Sequence, residues 1–167
     1  RRGARIYAEV AGFGAAASSA HWMQPPADGR PLALAISKAL QDAGAKPEQV
    51  DLINAFGIGT PQHDASEAAG FRQVLGSRAG TVPVLATKGT LGNNGAGSVA
   101  IDLAVTAMAI HRGIIPPSLN TDRVDPACGL NVVRGDPKDC RSNVAVSAAR
   151  AMCGGQTAAL VIRRYQA

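Results

Sequence analysis

VPVLATKGTLGNNGAGSVAIDLAVTAMAIHRGIIPPSLN, residues Val82 to Asn120, decides the reading of the chain. A short β-branched run, Val82 to Leu85, ends in a polar turn that carries Lys88. A loop rich in glycine and asparagine follows, then a helix of small and aliphatic residues. Gly113 and the Pro116-Pro117 pair stop that helix. From Val99 to Ile110 its only charge is Asp102, and apolar side chains point all round it. A helix apolar on every face is normally buried on every face. At roughly a dozen residues against the ~20 a bilayer requires, it is too short to cross a membrane. The pattern predicts a helix sandwiched inside a layered α/β protein, with Lys88 and the Asn93-Asn94 loop at its mouth. Gly97, Ala100, Ala104 and Ala107 would let neighbouring backbones approach closely.

Upstream, Arg5 to Gly14 alternates and reads as a strand, and the segment from Ala15 to Gly29 reads as a loop. Leu32, Ile36, Ala39, Leu40 and Ala43 recur at helical spacing from Pro31, and Gly44 closes the helix. Val50 to Ala55 is a short buried strand. The loop Phe56 to Pro61 opens a helix from Gln62 to Leu75, with Asp64 and Glu67 in its first turns, where they suit the helix dipole. Downstream, a long loop runs from Pro116 to Gly129. Strands are expected over Leu130 to Val133, Asn143 to Ala148 and Ala158 to Arg163, with a glycine-containing turn from Arg150 to Gly155. The order β-α-β-α-β-α-β-β-β argues for a mainly parallel sheet with helices on its faces and an antiparallel finish. Ligands gather at the carboxyl ends of strands in such sheets. The loops Phe56 to Thr60, Thr87 to Asn94 and Arg150 to Gly155 lie there.

The chain has 167 residues, enough for one domain with a real core. With 46% hydrophobic and 17% charged residues it reads as a folded globular chain. The net charge of +5 is not concentrated: Arg1, Arg2 and Arg5 sit near one end, Arg163 and Arg164 near the other, without interleaved aromatics. That is a solvated surface rather than a nucleic-acid groove, and it suits an acidic protein partner equally well. Cys128, Cys140 and Cys153 have neither CxxC spacing nor a histidine at ligand spacing, so no zinc site or disulfide framework is indicated. No signal peptide or membrane span is read, and a cytoplasmic location follows by default. The sequence begins without methionine inside a predicted strand, as a piece of a longer protein would.

Gly95-x-Gly97-x-x-Ala100 formally matches a dinucleotide fingerprint, but roughly nine residues separate Leu85 from Gly95, and the fingerprint must follow its strand directly. Lys88 precedes the glycines, which excludes a phosphate-binding P-loop. His21, His63 and His111 are scattered. Lys88, beside a helix N-terminus, suits either an anion or an internal ion pair.

Several spaced motifs together resemble the β-ketoacyl-[acyl-carrier-protein] synthases. Asn54-Ala55-Phe56-Gly57-Ile58-Gly59-Thr60-Pro61 with Asp64 is similar to their N-A-H-G-T-x-T-P-x-x-D loop. Thr87-Lys88 with Gly92-Asn93 is similar to T-K-x-x-x-G-H, and Ile114 to Asn120 to V-I-P-P-T-L-N. Ser147 to Gly155 occupies the place of their glycine-rich gating turn, and Leu160 to Tyr165 resembles their ending. The likeness covers essentially the whole chain. It implies a thiolase-like fold, of which residues 1–167 would form a single carboxyl-terminal domain: a mixed, mostly parallel sheet with helices on both faces. It also implies fatty-acid or polyketide synthesis, acyl-carrier protein as partner, and a homodimer or a heterodimer with an active ketosynthase. No cofactor is expected beyond the carrier's phosphopantetheine, and neither nucleic acid nor membrane is an expected partner.

The departures from the family pattern shape the functional expectation. The family's nucleophilic cysteine belongs to an amino-terminal half, and none of the three cysteines here stands in a matching motif. Of the catalytic positions, Lys88 is kept, Phe56 replaces one histidine and Asn93 the other. Those imidazoles would stabilise the thioester oxygen and the enolate formed on decarboxylation; phenylalanine has no donor and asparagine retains an amide. Thr60 keeps a pantetheine contact that Ile58 loses. Ala151 and Cys153 stand where phenylalanines are usual, beside the bulkier Arg150 and Met152, so the acyl pocket is altered. The resemblance thus implies a partner subunit like a chain-length factor, with weakened or lost condensing activity. Two other readings stand beside it: an active 3-oxoacyl-carrier synthase or related acyltransferase with altered residues, and an acyl-thioester-binding protein.

Overall fold

A computed structural model describes residues 2–20, 24–152 and 155–166. Its strands are β1 (Glu9–Ala17), β2 (Leu52–Ala55), β3 (Pro83–Ala86), β4 (Ile114–Ile115), β5 (Asn131–Val132), β6 (Lys138–Asp139), β7 (Val144–Arg150) and β8 (Gln156–Arg163). The helices are α1 (Arg30–Asp42), α2 (Pro61–Leu75), α3 (Lys88–Leu91) and α4 (Ser98–Arg112). Among the described residues, six strands form one sheet in the order β1-β8-β7-β2-β3-β5, and β4 pairs with β6 apart from it.

β7, β2, β3 and β5 run parallel, with Asn54 level with both Leu85 and Ser147. β8 is antiparallel to both β7 and β1. The sheet is therefore mixed with a parallel centre, and the expected antiparallel finish is confined to β8. β5 and β7 return to the parallel centre because loops carry the chain back to the same end of the sheet. The first strand lies further along than expected, starting at Glu9 and running through the alanines to Ala17. Its glycines explain the shift. A Cβ on Gly12 or Gly14 would overlap the backbone carbonyls of Ala39 and Ala35, so α1 packs directly on this strand.

Helices lie on both faces. α1 and α2 bury Leu32, Ile36, Leu40, Phe71 and Leu75 against Ile53, Val84 and Val146. α4 covers the opposite face through Ala109 and Ile110, which meet Leu52, Leu85, Ala145 and Ile162. Here the sequence reading needs correction, because α4 is not buried all round. Its buried residues include Ser98, Asp102 and Thr106, while Ala100 and Ala104 are exposed and Val99, Ile101, Leu103, Val105 and Met108 are half-buried. The helix turns its polar residues inward and leaves much of its apolar surface open. That inversion is affordable because the sheet presents polar partners. Asn54 Nδ2 donates to the Asp102 carbonyl at 2.9 Å and to Thr106 Oγ1 at 2.7 Å. A second difference lies in the stretch read as a loop before α4: it contains the single turn α3, closed by Gly92 at φ 73°.

Candidate active site

The carboxyl ends of β2, β3 and β7 each deliver part of one polar cluster. β3 is followed directly by Thr87 and Lys88, the Lys88 side chain being held inside because Asp102 stands on α4. Lys88 Nζ lies 2.5 Å from Asp102 Oδ2, with both side chains almost fully buried. The other carboxylate oxygen accepts the Thr87 hydroxyl. A buried carboxylate is costly unless both its charge and its lone pairs are met, and here they are. Lys88 Nζ also sits 4.5 Å from the centroid of the Phe56 ring, which comes from the end of β2. The ring is itself buried at 3% exposure, so a cation–π contact completes the cage around the ammonium. In the same layer, Asn54 Oδ1 and Ser147 Oγ, level across β2 and β7, are buried with no hydrogen-bond partner among the described residues.

Glu67 fixes the loop that carries Phe56. Its carboxylate accepts the backbone N–H of Phe56 at 2.7 Å and of Gly57 at 2.9 Å. Gly57 takes φ 48° and Gly59 φ 76°, backbone that favours glycine, so the chain can turn from β2 into α2. Glu67, which the sequence shows only as suiting the helix dipole, is 3% exposed and a structural acceptor. Burial pushes its carboxyl above the usual range, against the two N–H donors and Arg150, which pull the other way. Asp64 is raised by the same cause, opposed by the backbone of Ile58, Gly59 and Thr60. His63 is lowered, first by burial and then by Arg150.

The expected site residues fall around two hollows rather than one. A cavity of about 370 Å³ is lined by Lys88 and Ile58 together with Gly57, Asp64, Glu67 and Cys128. A wider one of about 810 Å³ is lined by Phe56, Asn93, Ala151 and Met152 with Ala15 and Val99. The 4.5 Å contact of Phe56 with Lys88 joins a residue lining one hollow to a residue lining the other. Asn93 does not reach Lys88 through any hydrogen bond. Its Oδ1 accepts Gly95 N–H at 3.1 Å and the Ser98 hydroxyl at 3.0 Å, tying the loop to the first residue of α4. Thr60 is the residue before α2, makes no side-chain cap and lines neither hollow. Cys153 lies outside the described residues, as does His21. His63 is half-buried on α2 and His111 is exposed on α4, where it meets Tyr7 edge-on at 5.1 Å between ring centroids. Cys128 and Cys140 are buried free thiols, and burial raises both. Among the described residues no group of acids, histidines and cysteines is arranged to hold a metal ion, and no helix is long and apolar enough to cross a membrane.

Two residues escaped the sequence reading. Asp102 was visible as the lone charge of an apolar helix, a signal that it must be paired, but nothing in the spacing named Lys88. Arg150 was read only as a bulky turn residue. Its Nη1 donates to the His63 carbonyl at 3.2 Å and to Ser66 Oγ at 3.3 Å, joining the end of β7 to α2.

Comparison with known proteins fits this geometry. Residues 7–122 match the family model described as "Beta-ketoacyl synthase, C-terminal domain". The chain is 38% identical over 99% of its length to 3-oxoacyl-[acyl-carrier-protein] synthase 2 of Synechocystis, covering 39% of that protein. It is 38% identical over 98% of its length to the tetracenomycin polyketide synthase ketoacyl synthase alpha subunit of Streptomyces glaucescens, covering 38% of it. Among solved structures, the ishigamide ketosynthase/chain length factor superposes with a TM-score of 0.91 at 33% identity, over 99% of this chain and 40% of that one. A type II polyketide synthase ketosynthase in complex with its acyl-carrier protein gives 0.94 at 30% identity, over the same shares of the two chains. The chain thus spans about two fifths of the length of the curated relatives it matches. The fold is thiolase-like, and the chain belongs to the β-ketoacyl synthase family, matching its carboxyl-terminal domain.

Proposed function

We propose that this chain belongs to a ketosynthase-like subunit of fatty-acid or polyketide synthesis that has lost condensing activity of its own and serves an active synthase as a chain-length-factor-like partner. Residues 1–167 act in this reading as one carboxyl-terminal domain. Acyl-carrier protein is the substrate carrier, its phosphopantetheine supplies the thioester, and the protein works in a dimer with the active enzyme. The observation that carries the reading is the state of position 56. A ring without a hydrogen-bond donor fills the place where the family pattern has histidine, and it lies against Lys88. Lys88 in turn is paired with Asp102, so its charge is already answered inside the fold. Removing one oxyanion donor costs about 3 kcal/mol of transition-state stabilisation, a factor of 10² to 10³ in rate. Asn93 retains an amide, but its carbonyl is committed to Gly95 and Ser98. The names of the relatives support the substrate class: they include a fatty-acid-type synthase and polyketide ketosynthases. Ile58, Thr60, Ala151, Met152 and Cys153 would then shape the path of pantetheine and acyl chain.

The test is an assay of the purified full-length protein with acyl-carrier and malonyl-carrier protein, in the absence of any second subunit. The expected result is neither decarboxylation of malonyl-carrier nor condensed product. Turnover at ordinary enzyme rates, about 1 per second or faster, overturns the reading in favour of an active synthase with altered residues.

A further inference from the structure

Two walls of the 810 Å³ hollow are anchored on one short stretch of α2. One wall is Phe56, whose backbone N–H is held by Glu67 at 2.7 Å. The other is the end of β7, Ala149 to Met152, from which Arg150 reaches the carbonyl of His63 and the hydroxyl of Ser66. Ser66 is fully buried and is itself fixed, donating to the Pro26 carbonyl at 2.6 Å. The guanidinium therefore binds a hydroxyl that is itself buried and hydrogen-bonded. On the far side of the turn, Gly155 is held by Ser18, whose N–H donates to the Gly155 carbonyl at 3.0 Å. Between these ties the strands still pair, Arg150 opposite Thr157, with Ala151 N donating to the Gln156 carbonyl at 2.9 Å. Arginine suits the first tie because its planar fork presents several N–H donors in fixed directions. A short neutral side chain at 150 would leave that side of the turn untied.

We infer that Arg150 is a positioning residue: its guanidinium clamps the end of β7 to the first turns of α2 and thereby sets the length of apolar chain that the hollow admits. The second clause rests on the reading that the hollow receives an acyl chain. The first stands on the contacts alone. Met152 lies two residues beyond the clamp, is 40% exposed and lines the hollow. Freed from α2, this wall would move outward and longer chains would fit.

The experiment compares the full-length protein with its Arg150→Ser, Arg150→Lys and Ser66→Ala variants in two readouts. The first is amide hydrogen exchange of the peptide spanning residues 149–157. Exchange at least tenfold faster is expected in Arg150→Ser, with partial rescue in Arg150→Lys and a smaller rise in Ser66→Ala. The second is binding of non-hydrolysable acyl-pantetheine thioethers of increasing chain length, where Arg150→Ser should move the upper cutoff to longer chains. Unchanged exchange overturns the clamp, whatever the thioethers do. Faster exchange with an unchanged cutoff overturns the role in chain length. Faster exchange with no thioether bound by any form supports the clamp and overturns the acyl reading. Should Arg150→Ser fail to fold, Ser66→Ala removes one acceptor without touching the charge, and unchanged exchange there overturns the clamp equally.

Discussion

Lys88 places its ammonium 4.5 Å from the ring centroid of Phe56, so the charged residue kept from the family pattern faces the residue that departs from it most. Asp102 approaches the same ammonium to 2.5 Å from the other side. The cluster reads as a structural knot: charge, counter-charge and aromatic cap are all supplied by the fold. Its energetics and its chemistry are separable by substitution.

Breaking a buried ion pair from one side leaves an uncompensated charge. Asp102→Leu and Lys88→Met are each expected to lower unfolding free energy by about 3–5 kcal/mol. The double variant should lose far less than the sum, because two apolar side chains then meet. A double-mutant cycle in urea measures the coupling directly, and additive losses would show that the two groups do not depend on each other.

Glu67 gives a pH signature whose sign follows from its burial. Its carboxyl is raised above the ordinary value of 4.5, so the folded protein keeps this proton to higher pH than the unfolded chain does. The group's contribution to stability is therefore full below pH 4.5 and declines as pH rises toward the raised value. Glu67→Gln should remove that declining limb while losing about 1–3 kcal/mol at low pH, because its amide opposes one of the two backbone N–H groups. Unfolding midpoints of both proteins between about pH 4 and 8 check this. A wild-type stability that rises more steeply with pH than the variant's would contradict it.

Gly14 lets α1 rest on β1. A methyl there would overlap the Ala35 carbonyl and crowd Lys38 Cβ at 2.8 Å. Gly14→Ala is expected to destabilise by about 1–3 kcal/mol, read as a lowered melting temperature. An unchanged melting temperature would mean that α1 shifts without cost.

Much of this architecture was legible from local pattern. The helices Arg30–Asp42 and Pro61–Leu75 and the strands Leu52–Ala55 and Pro83–Ala86 agree with the sequence reading to within two residues, because apolar spacing and glycine or proline stops report local structure well. What failed was what depends on partners distant in sequence. The inward turn of Asp102 and Thr106 is invisible to an amphipathicity argument, since it is Asn54, Thr87 and Lys88 that make burial of those groups tolerable. The structural part played by Glu67 is hidden for the same reason: its two donors are backbone groups ten and eleven residues away. The strand Glu9–Ala17 was misplaced because its small residues are chosen for contact with α1, not for strand propensity. Lys88 and Phe56 do stand just beyond the ends of β3 and β2, as the sequence reading has them. That Lys88 and Phe56 line separate hollows while touching each other is visible only in the fold.

The central proposal, that this chain's residues do not carry out condensation, is tested most directly by Asn93→Ala in a complex of the full-length protein with the active synthase it is proposed to serve. Asn93 is exposed and spends only its carbonyl on Gly95 and Ser98, so the variant should fold and assemble. The measurement is the steady-state rate of product formation from acyl- and malonyl-carrier protein. The account expects a rate within about twofold of wild type. A loss of a hundredfold or more, the usual cost of an oxyanion donor, would contradict it and make Asn93 a catalytic residue of an active enzyme.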